Sequence, residues 1–186
     1  MNKVIENILS RRSVRVYLDE QIKPEDLNTV LEAGYNAPSG CNIQPWHFTV
    51  VQNKELMNKL NVDSKKEFAN SENEMFRKMA ENPEFNIFYN ARTIIVISGE
   101  KSSSTALIDC SAATQNMLLA AESIGIGTCW IGLISFLFKS EKAKEYTDIL
   151  QIPEGFEPYY AITIGYKKYQ NAKPPKRREN VITVIK

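Results

Sequence analysis

The pattern of apolar and polar positions predicts a chain in which helices and strands mix without a regular alternation. Apolar residues recur at helical spacing over residues 2–11, 24–35 and 104–124. Residues 94–97 form an unbroken β-branched run, which is typical of a central strand. Because the strands are few, we predict a single α+β domain over residues 1–186, with helices over a mixed sheet. The other predicted elements are an extended segment at 14–18, strands at 48–51, 129–133 and 159–166, and helices from 54 and at 141–150.

Two segments depart from this regular pattern. Residues 63–90 are polar and charged with scattered methionines and phenylalanines, and we interpret them as a mobile helical excursion. Residues 181–185 form a β-prone run beyond the break at Pro174 and Pro175, with no obvious neighbour in the chain. We therefore predict that this last strand pairs with a second copy of the chain.

Composition and charge narrow the classes of function. Of the 186 residues, 43% are hydrophobic and 24% charged, as in ordinary globular domains. The formal net charge of +1 argues against a nucleic-acid partner or an anionic membrane. That charge is uneven, with +3 over residues 1–15, −8 over 16–165 and +6 over 166–186. The two basic ends could meet at one phosphate; the rival interpretation, nucleic-acid binding, lacks the interleaved aromatic residues of a single-strand binder.

Catalysis by side chains alone is poorly supported. Cys41, Cys110, Cys129 and the single His47 match no recognised metal-ligand spacing, disulfide framework or catalytic triad. A reducing, cytoplasmic location is the simplest interpretation of this cysteine content. We see no signal peptide, and the longest apolar run, residues 130–138, is too short to span a bilayer. We therefore expect no metal and favour a bound cofactor.

Basic residues at the two ends form the first candidate motif. Arg11, Ser13 and Arg15 alternate to one face of an extended segment, and guanidinium groups bind phosphate oxygens through paired hydrogen bonds. The second cluster is residues 176–178. The alternative interpretation is a solvated helix end and a basic tail.

Two loops could contact a flat ring. In residues 37–46, Asn42 and Gln44 offer donors and acceptors for the edge of a heterocycle, and Gly40 permits a close backbone approach. Residues 125–132 lack the third glycine of a dinucleotide fingerprint and follow a helix, which excludes a Rossmann site. They could still cover one face of an aromatic ligand. The alternatives are a structural loop and a core strand.

Taken together and in this order, the motifs resemble those of the nitroreductase family of flavin-dependent oxidoreductases. The resemblance spans essentially the whole chain, with the alanine-rich helix that carries Asp109 and Asn116 between the two loops and residues 164–166 before the basic tail. It implies an FMN-containing homodimer of α+β fold with a mainly antiparallel sheet. It also implies that the C-terminal strand is exchanged between copies, with two active sites at the subunit interface.

The resemblance also implies which residues bind the cofactor. It assigns the FMN phosphate and ribityl chain to Arg11, Arg12, Ser13 and Arg15, helped by Lys176 and Arg178. It places the first loop against the flavin of the partner subunit, through Pro38, Ser39, Gly40 and Asn42. It places the second segment along the isoalloxazine ring, through Cys129, Trp130, Ile131 and Gly132. The chemistry is carried by FMN rather than by a catalytic side chain, and we hypothesise that Arg15 stabilises the anionic reduced flavin.

The implied reaction passes hydride from NADH or NADPH through the flavin to nitroaromatics, quinones or similar small acceptors by a ping-pong mechanism. The alternative is a flavin-binding or storage protein without turnover. His47 stands where the family commonly has Arg, and Gly40 where Ala is frequent. These departures leave the substrate class open, and we expect residues 63–90 to border the acceptor site.

Overall fold

The computed structural model describes residues 2–170 and 173–186 and centres on a four-stranded sheet in the order β1-β2-β4-β3. All three pairings between these strands are antiparallel. The parallel component of the expected mixed sheet is one isolated bridge from Ser13 to Thr128. The α+β class is confirmed. The strands are β1 (Trp46–Val51), β2 (Thr93–Glu100), β3 (Ile126–Ile131) and β4 (Phe156–Tyr166).

Helices cover both faces of the sheet, because its central strand is apolar on both sides. In β2, Ile94 and Val96 pack into one buried cluster, whereas Ile95 and Ile97 pack into the other. The β-branched run therefore forms a strand buried on both faces, as its pattern predicted. The helices are α1 (Lys3–Ser10), α2 (Pro24–Tyr35), α3 (Lys54–Ala69), α4 (Glu74–Glu81), α5 (Ala106–Ser123), α6 (Ser135–Phe138) and α7 (Ala143–Ile149).

The long helix α5 packs closely against α2. A Cβ added at Gly34 of α2 would lie 2.8 Å from Met117 Cγ, so glycine is required where the two helices approach. Helical spacing places five apolar residues on one face of this helix and predicts that they face inward: Leu107, Cys110, Met117, Ala121 and Ile124. This prediction is correct for Cys110 and Met117, which are fully buried. It is wrong for Leu107 and Ile124, which are 52% and 40% exposed.

Within the polar excursion at 63–90, residues 63–69 and 74–81 are helical, as predicted, and belong to α3 and α4. Residues 82–90 form turns and no helix, which corrects the prediction for that part. Asn53 and Asn73 begin these helices, each with its side-chain oxygen accepting a hydrogen bond from a backbone N–H of the first turn. Edge-to-face contacts among Phe68, Phe76 and Phe136 hold the pair against α6.

The C-terminal run at 181–185 forms no strand in the single chain. Its apolar side chains are 67–93% exposed, because no sheet edge of the same chain reaches them. Pairing of this segment with a second copy stays a prediction. Among residues 2–170 and 173–186, no helix is long and apolar enough to cross a bilayer.

Candidate functional site

The arginine segment, residues 11–15, leaves the end of α1 and lies across β3. Val14 N donates to Thr128 O at 2.8 Å, next to the parallel bridge from Ser13. Farther along, Leu18 N donates to Tyr166 O at 2.9 Å. Backbone contacts at residues 13 and 14, and again at residue 18, therefore fix this part of the chain to the sheet.

Two glycines of the sheet make room for this close approach. A Cβ at Gly127 would lie 2.9 Å from Val14 Cγ1, and one at Gly165 would lie 3.2 Å from Tyr17 Cδ1. The Tyr17 hydroxyl is 2.7 Å from both Val14 O and Thr163 Oγ1, and burial raises the pKa of Tyr17. Tyr17 thus ties the arginine segment to β4.

The arginines of the segment differ in what they contact. Arg15 Nε donates to the Tyr89 hydroxyl at 3.2 Å, and this hydrogen bond raises the pKa of Arg15. Arg12 instead folds back, and its Nη1 donates to Leu9 O at 2.7 Å and Arg11 O at 2.6 Å, at the C-terminal end of α1. Its Nε is buried without a hydrogen-bond partner. In the part of the chain that the structure describes, no carboxylate pairs with any of these three arginines.

The arginine segment and β3 meet at Cys129. Burial raises the pKa of the Cys129 thiol, and Arg15, Ser13 and Arg11 partly oppose that rise. The Cys129 side chain itself points into the core, as does that of Ile131.

The rest of the predicted isoalloxazine segment is open. Trp130 is 37% exposed with its ring centroid 4.3 Å from that of Tyr160, and a Cβ at Gly132 would meet nothing within 4 Å. Since β3 is an edge strand, this segment can offer its backbone and the Trp130 ring to a ligand. It cannot offer the Cys129 and Ile131 side chains without rearranging the core.

The loop over residues 38–44 has an unusual backbone. Cys41, Asn42 and Gln44 have φ values of 50°, 56° and 54°, the left-handed region that few non-glycine residues adopt. Ser39 Oγ accepts from Gln44 N at 3.0 Å, and Asn42 Oδ1 accepts from Gln44 Nε2 at 3.0 Å. Pro38 and Asn42 are exposed, while Ser39 and Gly40 are half-buried.

The start of α5 holds this loop. Gly40 N donates to Asp109 Oδ1 at 3.2 Å, and Thr105 Oγ1 donates to Asp109 Oδ2 at 2.8 Å. Sequence reasoning gave no role to Thr105, Asp109 or Tyr89. The sequence does contain a signal for the first two, because a Thr and an Asp stand four residues apart at the start of a predicted helix. It contains no signal for the contact of Tyr89 with Arg15.

The structure does not bring the loop and the arginine segment together within one chain. The loop contacts the first turn of α5, whereas α1 contacts the other end, where Asn7 Nδ2 donates to Leu119 O at 2.9 Å. With 18 residues, α5 is about 27 Å long. The tail residues are also separate, because Lys176 pairs with Glu179 at 3.0 Å and no hydrogen bond or ion pair joins Lys176 or Arg178 to the arginine segment in the described ranges.

The residues of the arginine segment fit the phosphate end of FMN. Guanidinium groups and a hydroxyl stand side by side without acidic partners, and one buried guanidinium nitrogen lacks an acceptor. Phosphate oxygens are strong acceptors for such donors. A metal is not suggested, since no three His, Cys, Asp or Glu side chains cluster as ligands within residues 2–170 and 173–186.

Comparison with known proteins supports the same assignment. A profile of the nitroreductase family matches residues 8–166. The crystal structure of a nitroreductase with bound FMN from Bacteroides fragilis is 36% identical, with a TM-score of 0.90 and full coverage of both chains. An FMN-bound nitroreductase from Desulfitobacterium hafniense, 30% identical, gives the same TM-score and coverage. A protein of Archaeoglobus fulgidus is 36% identical over 172 residues, 90% of this chain and 87% of its own, and carries a provisional NADH dehydrogenase/NAD(P)H nitroreductase name.

The fold of this chain thus has counterparts among FMN-bound nitroreductases. The chain belongs to the nitroreductase family. The family and fold expected from the order of the motifs are confirmed, and the FMN cofactor and NAD(P)H-dependent enzyme class agree with these relatives.

Proposed function

We propose that this chain is an FMN-dependent NAD(P)H oxidoreductase that reduces nitroaromatics, quinones or similar small acceptors by a ping-pong mechanism. The observation that carries the proposal is the arginine segment, whose basic side chains have no acidic partner in the described ranges. Because all three cysteines are free thiols, the reducing cytoplasm is the proposed location.

The phosphate and ribityl chain would be held by Arg11, Ser13 and Arg15, with Arg12 fixing the end of α1 beside them. Arg15 has a further role in the proposal. Its guanidinium is held by the Tyr89 hydroxyl and keeps a positive charge at the site. Positive charge next to the flavin stabilises negative charge that develops on reduction. When bound, FMN supplies the hydride-accepting and hydride-donating chemistry.

The acceptor would lie beside α4 and Tyr89. The Phe85 and Tyr89 rings pack edge to face with centroids 6.1 Å apart, and Tyr89 in turn contacts Arg15. An open groove of about 420 Å³ begins at Phe85 and is lined by Met75 and Met79 of α4. Methionine side chains adapt to varied apolar shapes, so this surface suits several aromatic acceptors.

The proposed enzyme is a homodimer whose sites combine both copies. Loop 38–44 and the arginine segment lie at opposite ends of α5, so one flavin could reach both only if the loop came from the partner. Apolar side chains exposed on α1 and α5, such as Val4, Leu9 and Ile108, offer a surface for the second copy.

The C-terminal strand would be exchanged onto β1. The edge of β3 is partly covered by the arginine segment, whereas β1 has no neighbour on its outer side in the described ranges. An open apolar edge invites aggregation unless it is covered. Residues 181–185 of the second copy have the length and β-branched character to cover it, and would bring Lys176 and Arg178 along.

The test is spectroscopic and kinetic. Purified protein should be yellow, with absorbance maxima near roughly 370 and 450 nm, as for protein-bound oxidised flavin. Under anaerobic conditions NADH or NADPH alone should bleach the longer-wavelength band, and a quinone or nitroaromatic added afterwards should restore it. Steady-state double-reciprocal plots should be parallel. Bound FMN without NAD(P)H oxidation would indicate flavin storage, and colourless protein that does not bind added FMN would overturn the proposal.

A further inference from the structure

A buried carboxylate stands at the start of α5 without a cationic partner. Asp109 is 6% exposed, and no Lys, Arg or His pairs with it in the described part of the chain. Burial of an unpaired carboxylate is costly unless hydrogen bonds compensate. Here the compensation comes from the Gly40 N–H, the Thr105 hydroxyl and the positive end of the helix dipole. The carboxylate therefore connects a helix to a loop.

The loop that Asp109 holds is strained. Cys41, Asn42 and Gln44 all adopt the left-handed region at positive φ, a conformation that persists only where its surroundings fix it. Most hydrogen bonds of residues 38–44 stay within the loop, including those of Ser39 with Gln44. For residues 2–170 and 173–186, the hydrogen bond that leaves the loop is Gly40 N to Asp109.

Thr105 completes the contact from the other side. A Cβ at Gly40 would lie 3.2 Å from Thr105 Oγ1 and 3.5 Å from Thr105 Cγ2, so the glycine backbone lies directly against this side chain. The same hydroxyl donates to Asp109. Gly40, Thr105 and Asp109 form a closed triangle of contacts, which we name the loop clamp.

We infer that Asp109 and Thr105 are positioning residues that hold loop 38–44 in the conformation in which it contacts the ring of the flavin bound by the second copy. This inference rests on the proposed function. It differs from the role of the arginine segment, because the loop clamp acts on the ring and not on the phosphate.

Two ligands separate these roles. Riboflavin has the ring and ribityl chain of FMN but no phosphate. The ratio of the two Kd values therefore measures how much the phosphate contributes to binding. For Asp109→Ala we expect about tenfold weaker binding of both FMN and riboflavin, the scale of one lost hydrogen bond to a charged group, with the ratio of the two Kd values unchanged. For Arg11→Ala we expect weaker FMN binding and a ratio closer to one. Kd is measured by quenching of flavin fluorescence on the apo-protein.

Conservative variants at Thr105 keep the inference testable if Asp109→Ala does not fold. Thr105→Val removes the hydroxyl at nearly constant shape and should weaken the binding of both flavins several-fold. Thr105→Ser keeps the hydroxyl and should bind both flavins like wild type. Asp148→Ala, which removes an exposed carboxylate paired with Lys144 on α7, is the matched control and should bind like wild type.

The melting temperature of each apo-protein is measured alongside. Unchanged flavin affinity in Asp109→Ala and Thr105→Val overturns the inference. An equal loss of flavin affinity in Thr105→Val and Thr105→Ser also overturns it, because Thr105→Ser keeps the hydroxyl. If wild-type protein itself binds neither flavin, the proposed function fails as well, which is a different and recognisable outcome.

Discussion

At the scale of single residues, the arginines of the arginine segment have unequal roles. Arg11 and Arg15 have no carboxylate partner in the described ranges, while Arg12 is engaged with the carbonyls of Leu9 and Arg11. We expect Arg11→Ala and Arg15→Ala each to weaken FMN binding by about 1.5–3 kcal/mol, the scale of a hydrogen bond to a charged group. Equilibrium dialysis of the apo-protein with FMN measures this.

The control is Arg92→Ala, which removes an arginine paired with Asp19 outside the arginine segment. It should leave FMN affinity as in wild type. Equal FMN affinity in wild type, Arg11→Ala and Arg15→Ala would mean that the segment is a solvated helix end, the alternative interpretation of its sequence.

At the residue scale, the sequence predicts a site best where the side chains that would form it are neighbours along the chain. A run of arginines with a serine favours a phosphate site, because it brings guanidinium and hydroxyl donors together. It could not show that Arg12 folds back onto α1, since that depends on where the chain turns. Nor could it show that Tyr89 meets Arg15, because 74 positions separate them and only the packing of the whole domain brings them together.

At the scale of elements, a buried carboxylate, Asp63, joins α3 to α7. Asp63 accepts hydrogen bonds from Lys66 and from the Tyr146 hydroxyl, each at 2.8 Å, and pairs with Lys142 at 3.0 Å. The bond from Lys66, followed by those from Tyr146 and Lys142, lowers the pKa of Asp63 against the opposing effect of burial. The ionised carboxylate thus stabilises the folded protein.

We expect Asp63→Asn to reduce the free energy of unfolding at pH 7 by about 1–3 kcal/mol. Because the folded-state pKa lies below the unfolded value of about 4, the stabilisation is complete above that value and is lost as the pH falls below it. Wild type should therefore lose more stability on acidification than the variant. Urea unfolding from pH 7 to pH 3 measures this. Asp148→Asn is the exposed control, and a constant offset between wild type and Asp63→Asn would contradict the prediction.

The predicted helices and strands are correct where the same chain covers their apolar sides. The run at 94–97 and the helix at 24–35 lie where periodicity placed them, because the same domain covers their apolar sides. Periodicity misjudged Leu107 and Ile124 because a helical pattern does not say which apolar side faces the core and which faces solvent or another copy. The run at 181–185 has strand character but pairs with no strand of its own chain in the described ranges.

At the scale of the whole molecule, one chain carries surfaces that a second copy could complete. One chain has an open strand edge at β1 and an unpaired β-prone tail, and it has a strained loop far from its own arginine segment. In the proposed homodimer, two-fold association would bring each surface to its counterpart, since residue i of one copy meets residue j of the other twice.

A purified heterodimer tests this arrangement directly. One copy carries Arg11→Ala with Arg15→Ala, and the other carries Gly40→Leu, whose Cβ would lie 3.2 Å from Thr105 Oγ1 and would force Thr105 or the loop to shift. If each site combines the arginine segment of one copy with the loop of the other, the heterodimer has one intact and one doubly impaired site. It should therefore bind about half the FMN of the wild-type dimer, while either variant homodimer binds little. Two affinity tags isolate the heterodimer, and bound flavin is measured by absorbance. If both elements of a site came from the same chain, the heterodimer would bind no more FMN than the homodimers, because each of its sites would contain a defect.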